Sequence, residues 1–567
     1  MWILGIAGSH NSGAALIKDG KVVVAIQTER LVRCKRQAIS LDRMAQHAAE
    51  VIRYCLRYAG IDLPDLEAIA TCTPWDSIHP RFAFQFTRPH APLPRFVTVP
   101  HHLAHAEYAM HYSPLEPCLV LVCDGSGTYE YQRACLDIRE QEEEALKYVS
   151  DDGKESISAY TFDGTHLKLT YRVAYGAVND PDSSEPRDRW LASLGHLWEW
   201  SALYCHGNFQ EAGKVMGLAP FGDLNVHADL KTLSLDSKGK MWIDLPGLFR
   251  RFQSPNVSGA DITGNRHYED LAAHVQDVTN QFLVELVRFL QARHATDSLC
   301  YSGGVTLNST ANEYLKKRLG LKLHMNGSCE DNGTAIGAAL AVHHSLTGQR
   351  VSEEVTDYYG REYSSEEIRE SLQGYSGNVM TLPRSELLRY TSQALASGRV
   401  VGWFQGRSEF GPRALGNRSI LADPRNNRMQ DFLNRRVKHR EGFRPYAPAV
   451  IEERAAEFFD IEGPSPVMLR VVPVRGASLP AITHVDGTAR IQTVNRRQNE
   501  IFYDLLTAFG AETGVPVLLN TSFNVAGEPI VETPGDALST FGRSEMDVLI
   551  AGNLVIHPPS ARPAREG

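Results

Sequence analysis

Among the 21 histidines of this 567-residue chain, two are set apart by their spacing. In FVTVPHHLAHAEYAMHY, His101 and His105 are four residues apart, so on a helix both imidazoles leave one face. Pro100 suits the first turn of that helix. Two neutral imidazoles on one face can share a metal ion and suit iron or zinc. Carboxylates that would complete an open site are Asp124, ending the apolar run CLVLVCD, and Asp331, opening the small-residue stretch GTAIGAALAVHHSL. An acid at the end of a buried strand, facing a glycine turn, is poorly explained by packing. Taken by itself, an HxxxH pair is a weak metal signal and is more often an ordinary surface or core pair, and His102 and His111 fall off the face. His10 lies in SHNSG, the first glycine-rich turn. A turn histidine is ordinarily polar loop filling; facing a metal, it would serve as a general base near neutral pH.

Other groups suit phosphate. Three segments read as glycine turns whose backbone N–H groups could cradle it: DGSG with Gly125 and Gly127, EAGKVMG with Lys214, and SGGVTLN with Gly303, Gly304 and Asn308. None is a full Walker or Rossmann loop. The net charge of −9 argues against a general nucleic-acid binder. Yet Arg399 to Arg444 hold 11 Lys/Arg against 4 Asp/Glu, a local +7 that leaves −16 elsewhere. A basic island in an acidic chain suits a small polyanion such as a nucleotide or acyl phosphate; a solvated charged helix is the plainer alternative.

The elements that must position these groups are α/β. ILGIAG reads as a strand and AALIKDGKVVVAIQTER as a hairpin turning at DG. CLVLVCD, GSG and YEYQRACLDI partly repeat that pattern as strand, turn and return strand, which predicts a duplicated core. Helical spacing covers 41–60 and 268–294. LCYSGGVTLNS reads as strand, glycine turn and helix start, and GTAIGAALAVHHSL as a helix that packs closely. Residues 345–395 are polar and irregular, and a second apolar set runs from RVVGWF to about 557. A length of 567 residues suggests two to four domains, and hydrophobic content of 43% is ordinary for a folded protein. Nine scattered cysteines contain no CxxC pair, and Cys123 and Cys329 read as packing residues. No membrane-spanning run or signal sequence is evident, so a cytoplasmic location is expected. The glycine turns and paired strand–DG–strand units resemble the acetate and sugar kinase, heat-shock ATPase and actin superfamily.

Longer motifs carry a closer resemblance. GRSEFGPRALGNRSILADPR (406–425), FRPYAP (443–448), HVDGTARIQTV (484–494) and NTSFNVAGEPIVETP (520–534) look strongly like the nodulation/antibiotic carbamoyltransferase family. So do HHLAHAE, CDGSG, EAGKVMGLAPFG and YSGGVTLN, in the same order, over about residues 3–557. This resemblance implies residues 1–345 as a duplicated actin/sugar-kinase-like domain, similar to metal-containing tRNA threonylcarbamoyl-transfer proteins. It implies 346–395 as a connector, 396–557 as a smaller YrdC-like α/β domain, and 558–567 as a disordered tail. Carbamoyl phosphate and ATP, with Mg2+, would form a carbamoyl adenylate in the second domain. The carbamoyl group would then pass to a hydroxyl of a small molecule, expected to be a natural-product scaffold, in the first. Monomer or homodimer, without nucleic acid or membrane, is the expected state.

The family's ligands fall on His101, His105, Asp124 and Asp331, with Fe2+ implied and Zn2+ or another divalent ion as alternatives; its base falls on His10. Its adenylate-site residues fall on Arg413, Lys438, Arg444, Arg490 and Ser522, with Asn520 and Asn524 as hydrogen-bonding neighbours. The chemistry suits these types. Fixed cations offset the repulsion of phosphate oxygens, Arg offers forked donors and Lys a mobile charge, and a hydrolysable adenylate calls for an enclosed route. Two departures stand out. Asn11 follows His10 where the family often has an acid, and LYCHGNFQ is shorter and more polar than the family run. Acceptor choice is expected to lie in loops 75–95 and 175–210. A tRNA threonylcarbamoyl-modifying enzyme is the second reading, and an ATP-driven clamp, which needs no second anion site, the third.

Overall fold

The computed structural model describes residues 1–36, 44–72, 94–149, 152–175, 193–252, 262, 264–351, 357–476 and 478–559. Of the two expected acceptor loops, residues 75–93 and 176–192 lie outside the described residues, as does the tail from 560, whereas the rest of the second loop holds the helix Leu194–His206. The chain forms two compact units, Met1–Thr28 with Gln37–Val355, and Glu29–Arg36 with Thr356–Gly567.

In the first unit, apolar runs make two sheets of the same design. β1 (Trp2–Ala7) pairs antiparallel with β2 (Gly13–Lys18), and β2 with β3 (Lys21–Gln27). On its other edge β1 pairs parallel with β4 (Ala68–Thr71), and β4 with β5 (Arg95–Thr98). The second sheet is built from β6 (Cys118–Cys123), β7 (Gln141–Tyr148), β8 (Lys154–Phe162) and β9 (Leu167–Tyr175). After a separate ribbon of β10 (Leu233–Leu235) and β11 (Met241–Ile243), β12 (Ser298–Ser302) and β13 (Lys322–His324) complete it. β6 pairs antiparallel with β8 and β8 with β9, while β6 pairs parallel with β12 and β12 with β13. With the extra edge strand β7 set aside, the order repeats: a central strand, an antiparallel hairpin on one side and two parallel strands on the other. This is the duplicated α/β core expected from the sequence. The central strands are buried along nearly their whole length, as strands covered on both faces must be.

The return strand of the second half is not YEYQRACLDI. Residues Glu130–Cys135 form a 3-10 turn, and the partner of β6 is β8, some 20 residues further on. The reason is chemical. KESISAYTF offers a buried β-branched and aromatic run, whereas Arg133 is held in the turn by Glu130, three residues before it, and by Glu140 and Glu155.

The expected helices form as Met44–Ala59, Arg266–His294 and Gly333–Thr347. The last carries small residues because it lies close against both β1 and the His101–Met110 helix. A Cβ built on Gly5 would fall 1.8 Å from the Ala335 carbonyl oxygen.

The second unit is centred on one nine-stranded sheet. Its strands in chain order are β14 (Val379–Thr381), β15 (Val401–Phe404), β16 (Arg418–Ala422), β17 (Ala447–Ile451), β18 (Arg470–Pro473), β19 (Thr488–Val494), β20 (Val517–Ser522), β21 (Val548–Ala551) and β22 (Leu554–Ile556). Their order in space is β14-β22-β21-β15-β16-β20-β17-β19-β18. Two apolar clusters include Phe404, Leu519 and Phe541 in one and Trp403, Leu518 and Phe509 in the other. The stretch 346–395, expected as an irregular connector, holds helices Ser365–Glu370 and Arg384–Ala396 and the edge strand β14. No helix among the described residues is long and apolar enough to cross a membrane.

Candidate functional site

His101 and His105 project from the helix His101–Met110, whose ten residues are all buried. Asp124 follows β6, and Asp331 lies two residues before the Gly333–Thr347 helix. One ligand atom from each of the four meets within 4.8 Å. His101 Nε2 is 3.1 Å from Asp124 Oδ2, 3.2 Å from His105 Nε2 and 3.5 Å from Asp331 Oδ1. His105 Nε2 lies 3.8 and 3.7 Å from the same two carboxylate oxygens.

The donor set fits a divalent metal. Burial alone would keep the His101 imidazole neutral, yet Asp124 and Asp331 raise its pKa well above 6.5, so the cluster is built to hold positive charge. Outer partners orient the ligands. Ser302 Oγ donates to the Cys329 carbonyl at 3.4 Å and lies 3.3 Å from His105 Nδ1. This leaves Nδ1–H to donate to Ser302 and turns the Nε2 lone pair to the centre. Gly304 N–H donates to Asp124 Oδ1 at 2.9 Å, leaving Oδ2 inward. The His101 backbone N–H donates to Thr128 Oγ1 at 2.9 Å, and Glu155 accepts from Thr128 N and His102 N. His102, off the face as expected, is buried with Nδ1 2.8 Å from Ser158 Oγ; His111 is buried too.

His10 borders the centre, its Nδ1 3.6 Å from Asp331 Oδ2 and its side chain 50% exposed. Asn11 does not orient it; its amide donates to Glu330 Oε2 at 2.8 Å.

The glycine turns build this centre. Gly303, at φ +94, brings its backbone so near that a Cβ would lie 2.1 Å from the Cys123 carbonyl oxygen. The N–H groups of Gly127 and Gly303 donate to the carbonyls of Glu155 and Cys329. Gly125 faces Gly195 of the helix Leu194–His206, whose cap Ser193 donates to the Asp124 carbonyl at 2.7 Å. EAGKVMG is no turn: Ala212–Leu218 is a helix, its good helix formers outweighing two glycines, and Lys214 pairs with Glu211 at 3.7 Å. Asn308 Oδ1 caps the Ser309–Leu319 helix, while its Nδ2 is buried and makes no hydrogen bond among the described residues. His196, unremarked in the sequence, stands close enough to Asp124 to feel its charge, though burial sets its pKa below 6.5.

The second unit gathers the expected cations. Lys438 ends a π-helical turn, Leu433–Lys438, and is buried. Its ammonium donates to Ser522 O (2.8 Å), Ser522 Oγ (3.2 Å), Asn524 O (2.9 Å) and Asn524 Oδ1 (2.5 Å). Burial, with Arg440, Lys35 and Arg444 nearby, holds its pKa well below 10.5. Arg490, on β19, is likewise depressed, by burial and then by Arg413, Arg440 and Arg444. Arg444 keeps a 3.7 Å pairing with Glu441. The loop carrying Arg413 is pinned from both ends. Glu409 Oε1 accepts from the backbone N–H of Leu415, Asn417 and Arg418, while Asn520 and Gln492 donate to the carbonyls of Ala414 and Leu415. Asn520 Oδ1 makes no hydrogen bond among the described residues. Two cations here escaped the sequence reading. Arg440 had a local signal in KHREGFRPYAP, whereas Lys35, some 400 residues from Lys438 along the chain, had none.

Comparison with known proteins is consistent with this division. Residues 2–82 and 87–340 match the family described as the carbamoyltransferase N-terminus, and 392–557 the carbamoyltransferase C-terminus. The nodulation protein NolNO of Sinorhizobium fredii is 33% identical over 98% of this chain and 80% of that protein. The nodulation protein NolO of Bradyrhizobium diazoefficiens is 36% identical over 73% of this chain and 75% of that protein. The 3'-hydroxymethylcephem-O-carbamoyltransferase of Amycolatopsis lactamdurans is 36% identical over 58% of this chain and 61% of that protein. With both characteristic halves matched in order, the chain is a carbamoyltransferase of the nodulation and antibiotic O-carbamoyltransferase family.

Proposed function

We propose that the two units divide an ATP-dependent O-carbamoyl transfer. The observation that carries this is chemical segregation: a buried His–His–Asp–Asp cluster in one unit, and a cluster of part-buried arginines around the buried Lys438 in the other. In the second unit, carbamoyl phosphate loses phosphate to water. A carbamate oxygen then attacks the α-phosphorus of ATP, expelling pyrophosphate and leaving carbamoyl-AMP. Arg413, Lys438, Arg444 and Arg490 offset the crowded phosphate charge, with Ser522 and Asn520 as hydrogen-bonding partners.

In the first unit, an acceptor hydroxyl attacks the carbamoyl carbon, AMP departs, and the product is a carbamate ester. His10 takes the hydroxyl proton at Nε2 while Nδ1 faces Asp331. A divalent ion, Fe2+ in this reading, held by His101, His105, Asp124 and Asp331 would supply Lewis acidity toward the carbamoyl carbonyl. Asn308 Nδ2 and the Lys214 ammonium meet the nucleotide, beside the turns of Gly125, Gly127, Gly303 and Gly304. The acceptor is a hydroxylated small molecule, in keeping with the cephem named for the Amycolatopsis relative.

The test separates the half-reactions. His101→Ala should abolish transfer while leaving pyrophosphate release from ATP and carbamoyl phosphate; Arg444→Ala should abolish both. Loss of pyrophosphate release in a folded His101→Ala protein would overturn the division. Metal analysis of protein purified without oxygen identifies the ion.

A further inference from the structure

His101 is the first residue of its helix, so a metal ion bound there meets the positive end of the helix dipole. The N–H groups of a first turn carry about half a positive charge, which favours anions and opposes cations. Pro100, which precedes the helix, has no side chain to cap it. The first-turn donors are met instead by Thr128 and by Glu155 of β8. The His101 N–H donates to Thr128 Oγ1 at 2.9 Å, and the His102 N–H to Glu155 Oε2 at 3.3 Å. That same oxygen accepts from the Thr128 N–H at 2.9 Å, and the Thr128 carbonyl accepts from the Glu155 N–H at 3.1 Å. Glu155 is fully buried. Its other oxygen, Oε1, pairs with Arg133 and lies 3.5 Å from Arg172 Nη2. Arg133 also pairs with Glu130 and Glu140, and Arg172 Nη2 donates to Glu140 Oε2 at 2.5 Å. Three carboxylates thus face two guanidiniums, which leaves an excess negative charge at the start of the helix. None of these five side chains belongs to the His–His–Asp–Asp centre.

We propose that Glu155 is the counter-charge that lets this helix start hold a cation. Its carboxylate, against the first-turn N–H groups, offsets the field that opposes a divalent ion at His101 and His105. The inference rests on the metal reading of the four-residue centre. Asp124 and Asp331 answer the charge of the ion, and Glu155 answers that of the helix. Away from water such a charge is little screened, so its effect reaches the ion without contact.

The full chain, stripped of metal, is titrated with Zn2+ against a chelator and with Co2+ by its visible absorption bands. Glu155→Gln keeps an oxygen for the two N–H groups and loses the charge. It should weaken both ions about tenfold while the Co2+ bands stay unchanged, because the four ligands keep their places. Arg133→Gln deepens the negative excess and should tighten both ions about threefold. Native affinity in Glu155→Gln overturns the proposal. So do shifted Co2+ bands accompanying the loss, which mark a displaced ligand rather than a missing charge. Should Glu155→Gln fail to fold, Arg133→Gln decides: tighter binding supports the counter-charge, and unchanged or weaker binding overturns it. If the native chain binds neither ion, the metal reading fails and the proposal falls with it. Native binding with an unaltered Glu155→Gln affinity removes the counter-charge alone.

Discussion

A Cβ added at Gly337 would lie 1.8 Å from the carbonyl oxygen of Ala104. Ala104 sits on the helix that presents His101 and His105, and Gly337 on the helix that follows Asp331. Their backbone contact brings the two histidines and the second carboxylate together from segments more than 200 residues apart.

Gly337→Ala should therefore push the two helices apart. The expected cost is about 1–3 kcal/mol from overpacking, reduced by the better helix propensity of alanine. Bound metal per chain should fall in parallel with stability. A variant with full metal content and an unchanged denaturation midpoint would show that the close approach does not set the ligand geometry.

Ser302 holds the tautomer of His105 without reaching the ligand centre. Ser302→Ala should leave the fold intact yet weaken metal binding by about 10–100-fold, measured by competition with a chelator. Retained affinity would mean that another group orients the imidazole.

Glu409 organises the Arg413 loop by accepting three backbone N–H bonds through one oxygen. Glu409→Gln keeps an acceptor but removes the charge that roughly doubles such bonds. The expected result is a Tm lower by a few degrees and a raised KM for a phosphorylated substrate in pyrophosphate release. An altered Tm with unchanged KM values would separate this loop from anion binding.

The stability of the first unit should fall in mild acid. Burial, with His227 adding to it, holds His274 at a pKa of about 4; burial alone does the same to His324, against the opposing pull of Asn326. Both begin from 6.5, so between about pH 4 and 6.5 the unfolded chain binds protons that the folded chain declines. Stability therefore rises with pH across that window and is fully present above it. Denaturant midpoints at pH 7.5 and pH 5 check the sign, and His324→Gln should flatten the difference. A pH difference left unchanged by His324→Gln would contradict the buried-neutral assignment, since His101, with its raised pKa, contributes in the opposite direction.

Local pattern was legible. The i, i+4 spacing of His101 and His105 lies within one helix, and the strand–turn–strand runs of β1 to β3 are short-range signals. Misreadings came where two local signals competed. Glycines in EAGKVMG suggested a turn although its other residues favour the helix that forms. YEYQRACLDI had a strand-like composition, but a three-residue Glu–Arg pairing holds it in a 3-10 turn.

Residue types and spacing by themselves pointed to the duplicated α/β class, the histidine face, the candidate acids and the basic island, while the family came from the resemblance of whole motifs. Only the tertiary structure decided that Asp124, from the strand end, and Asp331, from a distant helix start, share a centre with the histidines. It also decided that Glu29–Arg36 packs with the second unit, bringing Lys35 near Lys438. Periodicity records which way a side chain faces along its own element. Which faces meet is decided by long-range packing, here by small residues such as Gly337 that let two backbones touch.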